Sequence, residues 1–526
     1  MPGLMQDWPL TLDKVLDHAA RWHGDREVVT RLNEGPITRC TYADIHRRAK
    51  QFSHALLGHG IAREDRIATL AFNSARHLEA WYGIMGLGAV CHTLNPRLPV
   101  EQLAYIVNHA ADRLILADAL CTPILRQLLP RCPTIERVVL LADEAELPAD
   151  FPAISYESWI AGRGSDCKWG DFPEDTAAGL CYTSGTTGDP KGVLYSHRSN
   201  YLHSLIALMP DVLGISGRDA VLAIVPMFHA NAWGLAFAVP AIGAKFVLPG
   251  AKLDGASLFD LIETEGVTLS AGVPTVWQGL LQYLEKERKH PATLQRILTG
   301  GAACPESLAR AYQERHGIEV RHAWGMTEMS PIGTVNVPPD LATPALRQGR
   351  VPFGIDMMLT DDAGRAVAHD GRTFGHLKVR GAAVARAYFR REAEDILDAD
   401  GWFDTGDIAT IDEAGALQIT DRAKDVIKSG GEWISSIDIE NAAVAHPKVA
   451  LAAVIAIPHA KWGERPLLIV QPKAGEPVTA EELLAFLEGR IARWWMPEAV
   501  QFVEAIPLGA TGKIDKKRLR AGLATN

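Results

Sequence analysis

The chain has 526 residues, 47% apolar and 22% charged, with a formal net charge of −10. That length exceeds one ordinary domain and suits a large multi-layer unit with a smaller one attached. The acidic balance leaves no basic footprint for nucleic acid, and seven scattered cysteines without a C-x-x-C pair read as reduced thiols of a cytoplasmic protein.

Residues 1–14 lack a cationic start before an apolar core, so no signal peptide is expected. From about 10 to 65 apolar residues recur at helical spacing: Leu12, Val15, Leu16 and Ala19, then Ile45, Ala49, Phe52, Ala55 and Leu56. Thr41 with Asp44 three residues on predicts a helix N-cap with an acid in the first turn. Residues 67–71 predict a buried strand, Ser74 a cap for a helix running to about Gly86, and 88–94, 114–117 and 137–141 further strands. Strands alternating with helices give an α/β fold, a mostly parallel sheet covered on both faces. Residues 143–175, acidic and containing Pro and Gly, read as a surface connection.

The most informative stretch follows, Tyr182-Thr183-Ser184-Gly185-Thr186-Thr187-Gly188-Asp189-Pro190-Lys191-Gly192. It lies between two apolar runs, so it is a turn joining strands. Glycines let the backbone fold tightly and bring its N–H groups to a ligand; hydroxyls and N–H groups in such a turn make a concave anion site; Lys191 adds a point charge for phosphate. A Walker A loop is disfavoured, because Pro190 stands where the second Gly should be and Gly192 where the Mg-binding hydroxyl should be. A loop that holds polyphosphate is the reading that remains.

Beyond it, a strand over 220–226 ends in an apolar turn carrying His229 and Trp233, and in α/β sheets ligands sit past the carboxyl ends of strands. The apolar stretch 233–251 is interrupted by Pro240, Lys245 and Pro249 and is no membrane span. Small residues at 300–303 let a flat ring approach the backbone, although close helix–strand packing explains them equally well. Residues 320–328 deliver an aromatic, a glycine, a hydroxyl and the Glu328 carboxylate into a turn; Mg²⁺ takes one or two such protein oxygens beside phosphate. Asp407 in a turn can take both ribose hydroxyls or close an Asx-turn. The charge run 421–425 reads by itself as a solvated turn, and the rest of the chain as a compact α+β unit.

The 184–192 stretch resembles the signature of the adenylate-forming superfamily: acyl-CoA synthetases, peptide-synthetase adenylation domains and beetle luciferases. The resemblance extends from about residue 10 to 520 with its motifs in family order. It implies a large multi-layer N-terminal domain over 1–421, a hinge at 422–427 and a small mobile C-terminal domain over 428–526. It implies nucleotide contacts from Thr183, Ser184, Gly185, Thr186, Thr187, Lys191, Gly301, Ala302, Ala303, Trp324, Gly325, Met326 and Thr327. Asp407 and Arg422 would meet ribose, and Glu328, with Ser184 beside it, would hold magnesium. The segment Met227-Phe228-His229-Ala230-Asn231-Ala232-Trp233 is similar to the acyl-tunnel lining of fatty-acyl-CoA synthetases, with Trp233 as gate and His229, Gly301 and Trp324 along the acyl chain. Lys424 would be the pivot, and Lys428, Gly430, Gly431 and Trp433 would form the CoA channel. The ending Pro507-Leu508-Gly509-Ala510-Thr511-Gly512-Lys513-Ile514-Asp515 resembles the motif of the catalytic lysine, Lys513 rather than Lys516 or Lys517.

The expected activity is an ATP-, Mg²⁺- and CoA-dependent acid:CoA ligase that forms AMP, acting on an aliphatic acid. Medium- to long-chain fatty acids and 3-methylmercaptopropionate stay open as substrates. An aromatic acid, a peptide-synthetase module and a luciferase-like oxygenase fit less well. A nucleotide-binding protein without catalysis is the alternative of a different class, and intact Lys191, Glu328, Asp407, Arg422 and Lys513 argue against it. A homodimer stays open as the quaternary state.

Overall fold

Apolar runs of four or five residues bounded by turn residues are too short for ordinary helices and become strands buried on both faces. The computed structural model describes residues 1–526 except Pro2, Glu34, 184–188, 342–346, Lys424, Gly431, 510–511 and 524–526. One seven-stranded sheet runs Ile154–Ser155, Arg137–Leu140, Leu114–Ala117, Arg66–Leu70, Val90–Thr93, Ala177–Thr183, Lys191–Ser196, and only its last pair is antiparallel. An eight-stranded sheet runs Ile332–Asn336, Glu319–Gly325, Arg296–Thr299, Leu269–Gly272, Ala220–Ala223, Lys245–Leu248, Glu27–Arg31, Ile37–Thr41, antiparallel only at its two ends.

Alternation along the strands assigns each face. Leu114 and Leu116 pack into the large central core with Val28, Val221 and Ala223, together with helices Asp13–Trp22, Tyr42–Gly58, Ala75–Gly86 and Leu235–Ile242. Ile115 and Ala117 face the opposite way, onto helix Val100–Ala110; Val29 and Leu222 face helices Gly255–Glu265 and Pro274–Glu287. The result is five layers, helix–sheet–helix–sheet–helix, the multi-layer α/β body expected. A four-stranded antiparallel sheet follows, Ile355–Thr360, Gly375–Gly381, Phe403–Ile411, Leu417–Arg422. A further sheet begins at Ile427–Ser429 and has its own apolar core around Ile439, Val454 and Leu468, flanked by helices Ser436–Val444 and Ala480–Leu487.

Thr41 caps helix Tyr42–Gly58 with a full capping box, its partner being Asp44, and Ser74 caps helix Ala75–Gly86. Two expectations need correction. The helical spacing across 10–65 belongs to two helices separated by the hairpin Glu27–Arg31/Ile37–Thr41, whose β-branched run Val28-Val29-Thr30 favours strand. Residues 143–175 are not merely surface: Phe151, Tyr156, Ile160, Trp169 and Phe172 are buried, because aromatics spaced among the acids anchor the segment to the body.

Asn73, buried just after strand Arg66–Leu70, joins the two large sheets. Its amide donates to the carbonyls of Ala223 and Val225 at 2.7 and 2.9 Å and accepts from Met227 N–H at 2.6 Å. Asn73→Ala strands three buried backbone groups, each costing about 1–3 kcal/mol. Urea unfolding should therefore lose at least about 2 kcal/mol. A loss under about 0.5 kcal/mol, the range of neutral surface changes, would mean that water replaces the side chain.

Candidate active site

Loops leaving the carboxyl ends of parallel strands gather at one edge of a sheet. Strand Ala177–Thr183 runs into 184–188, Arg296–Thr299 into 300–303, Glu319–Gly325 into 326–329, and Ala220–Ala223 into the turn holding His229 and Trp233. Ser184, Gly185, Thr186, Thr187, Lys424 and Gly431 lie outside the described residues. The flanks of the hydroxyl-rich loop are cross-strand partners, Thr183 opposite Lys191. The Lys191 ammonium lies 4.7 Å from the centre of the Tyr388 ring, and Phe389 N–H donates to the Gly192 carbonyl at 2.8 Å.

Tyr388 also reaches the acidic turn. Its hydroxyl donates to Glu328 Oε1 at 2.9 Å, and Glu328 is buried. Burial pushes the Tyr388 phenol up, and the carboxylate next to it adds to that rise. Tyr195 donates its hydroxyl to the Thr327 carbonyl at 2.8 Å, tying this turn to the strand after the hydroxyl-rich loop. Tyr388 and Tyr195 carry no local motif, so sequence reading missed both.

Asp407 is a second buried acid of the site. One oxygen accepts from Trp324 Nε1 at 2.9 Å and the other pairs with Arg422 Nε at 3.0 Å. Asp407 and Arg422 are partners in the antiparallel register of Phe403–Ile411 and Leu417–Arg422. Burial raises the Asp407 pKa, while Arg422, the indole N–H and Lys513 oppose that rise. Arg422 thus holds Asp407, and its remaining reach goes to the Thr405 carbonyl at 3.0 Å. Trp324, flanked by Gly325, Met326 and Thr327, is committed by this bond to the Asp407 side.

Lys513 arrives from the far end of the chain. A Cβ placed on Gly301, whose φ is +77°, would lie 3.6 Å from Lys513 Cε and 3.6 Å from Trp233 Cζ2, so the lysine stem and the indole both border this glycine. Ala302 and Ala303 follow it, the first exposed and the second half-buried. At Gly300 any Cβ would press within 2.8 Å of the Ala323 carbonyl, so close strand packing is a real constraint there. Burial, with Lys513 nearby, lowers His229 to about 4, which leaves the imidazole neutral at neutral pH. The expected apolar turn is left-handed: Ala230, Asn231, Ala232 and Trp233 have φ of 43°, 59°, 52° and 55°. Such backbone costs about 1–2 kcal/mol per residue. It is held by the Asn231 amide donating to Asn200 at 3.1 Å and by Gly234, where a Cβ would strike the His203 ring at 2.7 Å.

Lys428, Gly430 and Trp433 sit apart from this group. Trp433 packs on Phe374 and His376 with ring centroids 6.3 and 6.2 Å away, under the Lys428 ammonium at 5.7 Å. Gly430 N–H donates to the Trp462 carbonyl at 2.8 Å. The structure therefore gathers Lys191, Gly301, Trp324, Thr327, Glu328, Asp407, Arg422, His229, Trp233 and Lys513 at one edge, while Lys428 and Trp433, cross-strand partners in the sheet that begins at Ile427–Ser429, face Phe374 and His376.

A family model described as AMP-binding enzyme matches residues 16–389, and one for the C-terminal domain of AMP-binding enzymes matches residues 438–513. The chain is 48% identical to a 3-methylmercaptopropionyl-CoA ligase of Ruegeria lacuscaerulensis, over 99% of this chain and 98% of that one. It is 46% identical to a medium-chain-fatty-acid–CoA ligase of Ectopseudomonas oleovorans, over 99% of this chain and 97% of that one. A crystal structure of an anthranilate CoA ligase with anthranoyl-AMP superposes with a TM-score of 0.90 over 99% of this chain and 100% of that one; at 24% identity it speaks for the fold alone.

Burial, with Arg422 nearby, lowers Lys513 to about 8 against the pull of Asp407 and Glu328. In protein carrying ¹³C-methylated lysines, the resonance that Lys513→Arg removes should titrate near 8. Asp407→Asn takes away an attracting carboxylate and should move that midpoint lower still. A midpoint near the ordinary 10.5 would show that the lysine stays in solvent.

Proposed function

The chain belongs to the AMP-binding enzyme family, and from that premise we propose how its own residues carry the reaction. It is an AMP-forming acyl-CoA ligase that uses ATP, Mg²⁺ and CoA with a small carboxylic acid. In the first half-reaction the acid carboxylate attacks the α-phosphorus of ATP and expels pyrophosphate. In the second the CoA thiolate attacks the carbonyl carbon of the acyl-adenylate and expels AMP.

Both reactants of the first step are anions, so its barrier is largely electrostatic. The observation that carries our assignment is that Lys513 and Trp233 both border Gly301. It supports a reading in which the ammonium lies between the acyl chain and the phosphate, where Lys513 neutralises developing charge. Thr183, Ser184, Gly185, Thr186, Thr187 and Lys191 cradle the polyphosphate, Thr327 meets the α-phosphate, and Gly301, Ala302, Ala303, Trp324, Gly325 and Met326 border the base. Asp407 takes the ribose hydroxyls, oriented by Trp324 and Arg422. The Glu328 carboxylate, buried and steadied through one oxygen, fits a hard cation that takes one or two carboxylates beside phosphate; Mg²⁺ bound there, with Ser184 near it, would supply charge neutralisation.

We place the acyl chain between His229 and Trp233. The imidazole is neutral and the turn around it is apolar, which favours an aliphatic acid; the substrates named for the two bacterial relatives are aliphatic too. We assign 1–421 to a large domain, 422–427 to a hinge and 428–526 to a small domain that turns about Lys424 after adenylation. That motion withdraws Lys513 and brings Lys428, Gly430, Gly431 and Trp433 to the site, a gating step of domain closure. Among the described residues no helix is long and apolar enough to cross a membrane. Seven free cysteines, six of them buried, fit a reducing compartment, and we place the protein in the cytoplasm. A homodimer is also proposed, and sedimentation equilibrium tests it.

With Mg-ATP and CoA, release of AMP and pyrophosphate over acetate, butyrate, methylmercaptopropionate, octanoate, palmitate and coumarate should peak on an aliphatic acid. A coumarate optimum would overturn the pocket assignment, and absence of acid-dependent release would overturn the activity. Lys513→Ala should cost adenylation about 10²–10³-fold, the scale of losing one transition-state donor. Thioester formation from supplied acyl-AMP should persist, and equal loss of both steps would refute the domain motion.

A further inference from the structure

Three residues beyond Lys513 lies a second lysine that the assigned chemistry does not use. Lys516 opens the C-terminal helix Lys516–Leu523. Its ammonium pairs with Glu440 Oε1 at 2.8 Å, both side chains only 14% exposed. The same Glu440 oxygen accepts from Val454 N–H at 2.8 Å, so the acid is anchored on the sheet beneath it. Burial works against the Lys516 charge, but Glu440, Asp421 and Asp425 outweigh it and the amine stays protonated.

The contact does not stop within that unit. Lys516 donates to Ser436 Oγ, and Ser436 donates to Asp421 Oδ2 through its hydroxyl and, at 3.3 Å, its N–H. Ser435 donates its hydroxyl to the Thr420 carbonyl at 3.0 Å. Thr420 and Asp421 belong to strand Leu417–Arg422, whose next residue, Arg422, pairs with Asp407. Lys516 is also close to Lys513 along the chain. Among the described residues, Gly509 N–H donates to the Lys513 carbonyl at 2.7 Å and Asp515 N–H to the Pro507 carbonyl at 2.8 Å, which ties 512–515 to 507–509. Asp515 Oδ1 then accepts from Arg518 N–H at 3.1 Å and starts the helix.

A buried ion pair is seldom worth more to stability than an apolar pair of similar volume, so its geometry is the better reason for it. We infer that Lys516 is a positioning residue for Lys513. Its pair with Glu440 and the relay through Ser436 to Asp421 fix the Lys513 segment to the strand that ends at Arg422, and so set the distance between the Lys513 ammonium and Asp407. This rests on the reading of Lys513 given under Proposed function.

The test uses the full chain with Lys516→Met, Lys516→Arg and Ser436→Ala. The readouts are acid-dependent ATP–pyrophosphate exchange, thioester formation from supplied acyl-AMP and CoA, and the melting temperature. Lys516→Met should lower exchange at least tenfold through kcat, with the KM of ATP and of acid moved less than threefold and the thioester step within threefold of wild type. Lys516→Arg should restore most of the exchange. Ser436→Ala leaves the ion pair in place and cuts only the relay, so it should give a smaller loss confined to exchange, and it decides the matter if Lys516→Met does not fold. Unchanged exchange in Ser436→Ala and Lys516→Met, or equal loss of both half-reactions, would overturn the inference while the ligase reading stands. A wild-type protein without acid-dependent exchange would overturn the reading itself.

Discussion

A carboxylate taken out of water must be given partners, and Asp407 is the one on which this site turns. Its two oxygens are divided between an indole N–H and a guanidinium. Unpaired, such a buried charge would be expelled or neutralised. The need for partners fixes Trp324 on one strand and Arg422 at the end of another, and so aligns the carboxyl edge of the eight-stranded sheet with the four-stranded sheet. Arg422 is also the last residue of its strand before the segment leading into the C-terminal unit. The residue that satisfies the acid therefore stands at the start of the segment proposed as the hinge.

The other groups at this edge are steadied by the same means, long-range side-chain bonds to backbone or buried acid. Tyr195 holds the Thr327 carbonyl, Tyr388 holds Glu328 and shelters Lys191, and Asn73 holds the turn before His229. Each joins elements far apart in sequence, which keeps loops at strand ends from behaving as loops. The left-handed turn at 230–233 is the extreme case. Four non-glycine residues persist in a costly conformation because Asn200 and the packing of His203 over-determine it.

Much of this was legible in the chain. Residues 114–117 read as a strand and are one, the hydroxyl-rich loop joins two antiparallel strands, and Thr41 and Ser74 cap the helices they were expected to cap. Local pattern suffices where local forces decide. It failed at 27–41, where helical spacing on both sides masked a hairpin, and at 143–175, where acidic composition outweighed five buried aromatic and aliphatic side chains. Resemblance named Asp407, Arg422 and Lys513, but nothing in their spacing says that they would meet. Tyr388, Tyr195 and Asn73 had no signal at all, because what makes them matter is a partner more than 50 residues away.

Lys513 closes the argument about motion. Its lowered pKa says that, with protein groups alone, the buried position is worse for the ammonium than water, because desolvation and Arg422 outweigh Asp407 and Glu328. The Lys513 segment is then held by the contacts around it, the Lys516–Ser436–Asp421 hydrogen bonds among them, and not by the lysine charge. A polyphosphate bound as proposed would act in the opposite direction, since an anion beside the ammonium raises its pKa and favours the docked arrangement by the same free energy. Departure of pyrophosphate removes that contribution. In the proposed reaction the lysine charge thus works against docking before the nucleotide binds, is offset while polyphosphate is present, and loses that support once pyrophosphate leaves. The proposed hinge at 422–427 needs that order if one site is to serve two successive reactions.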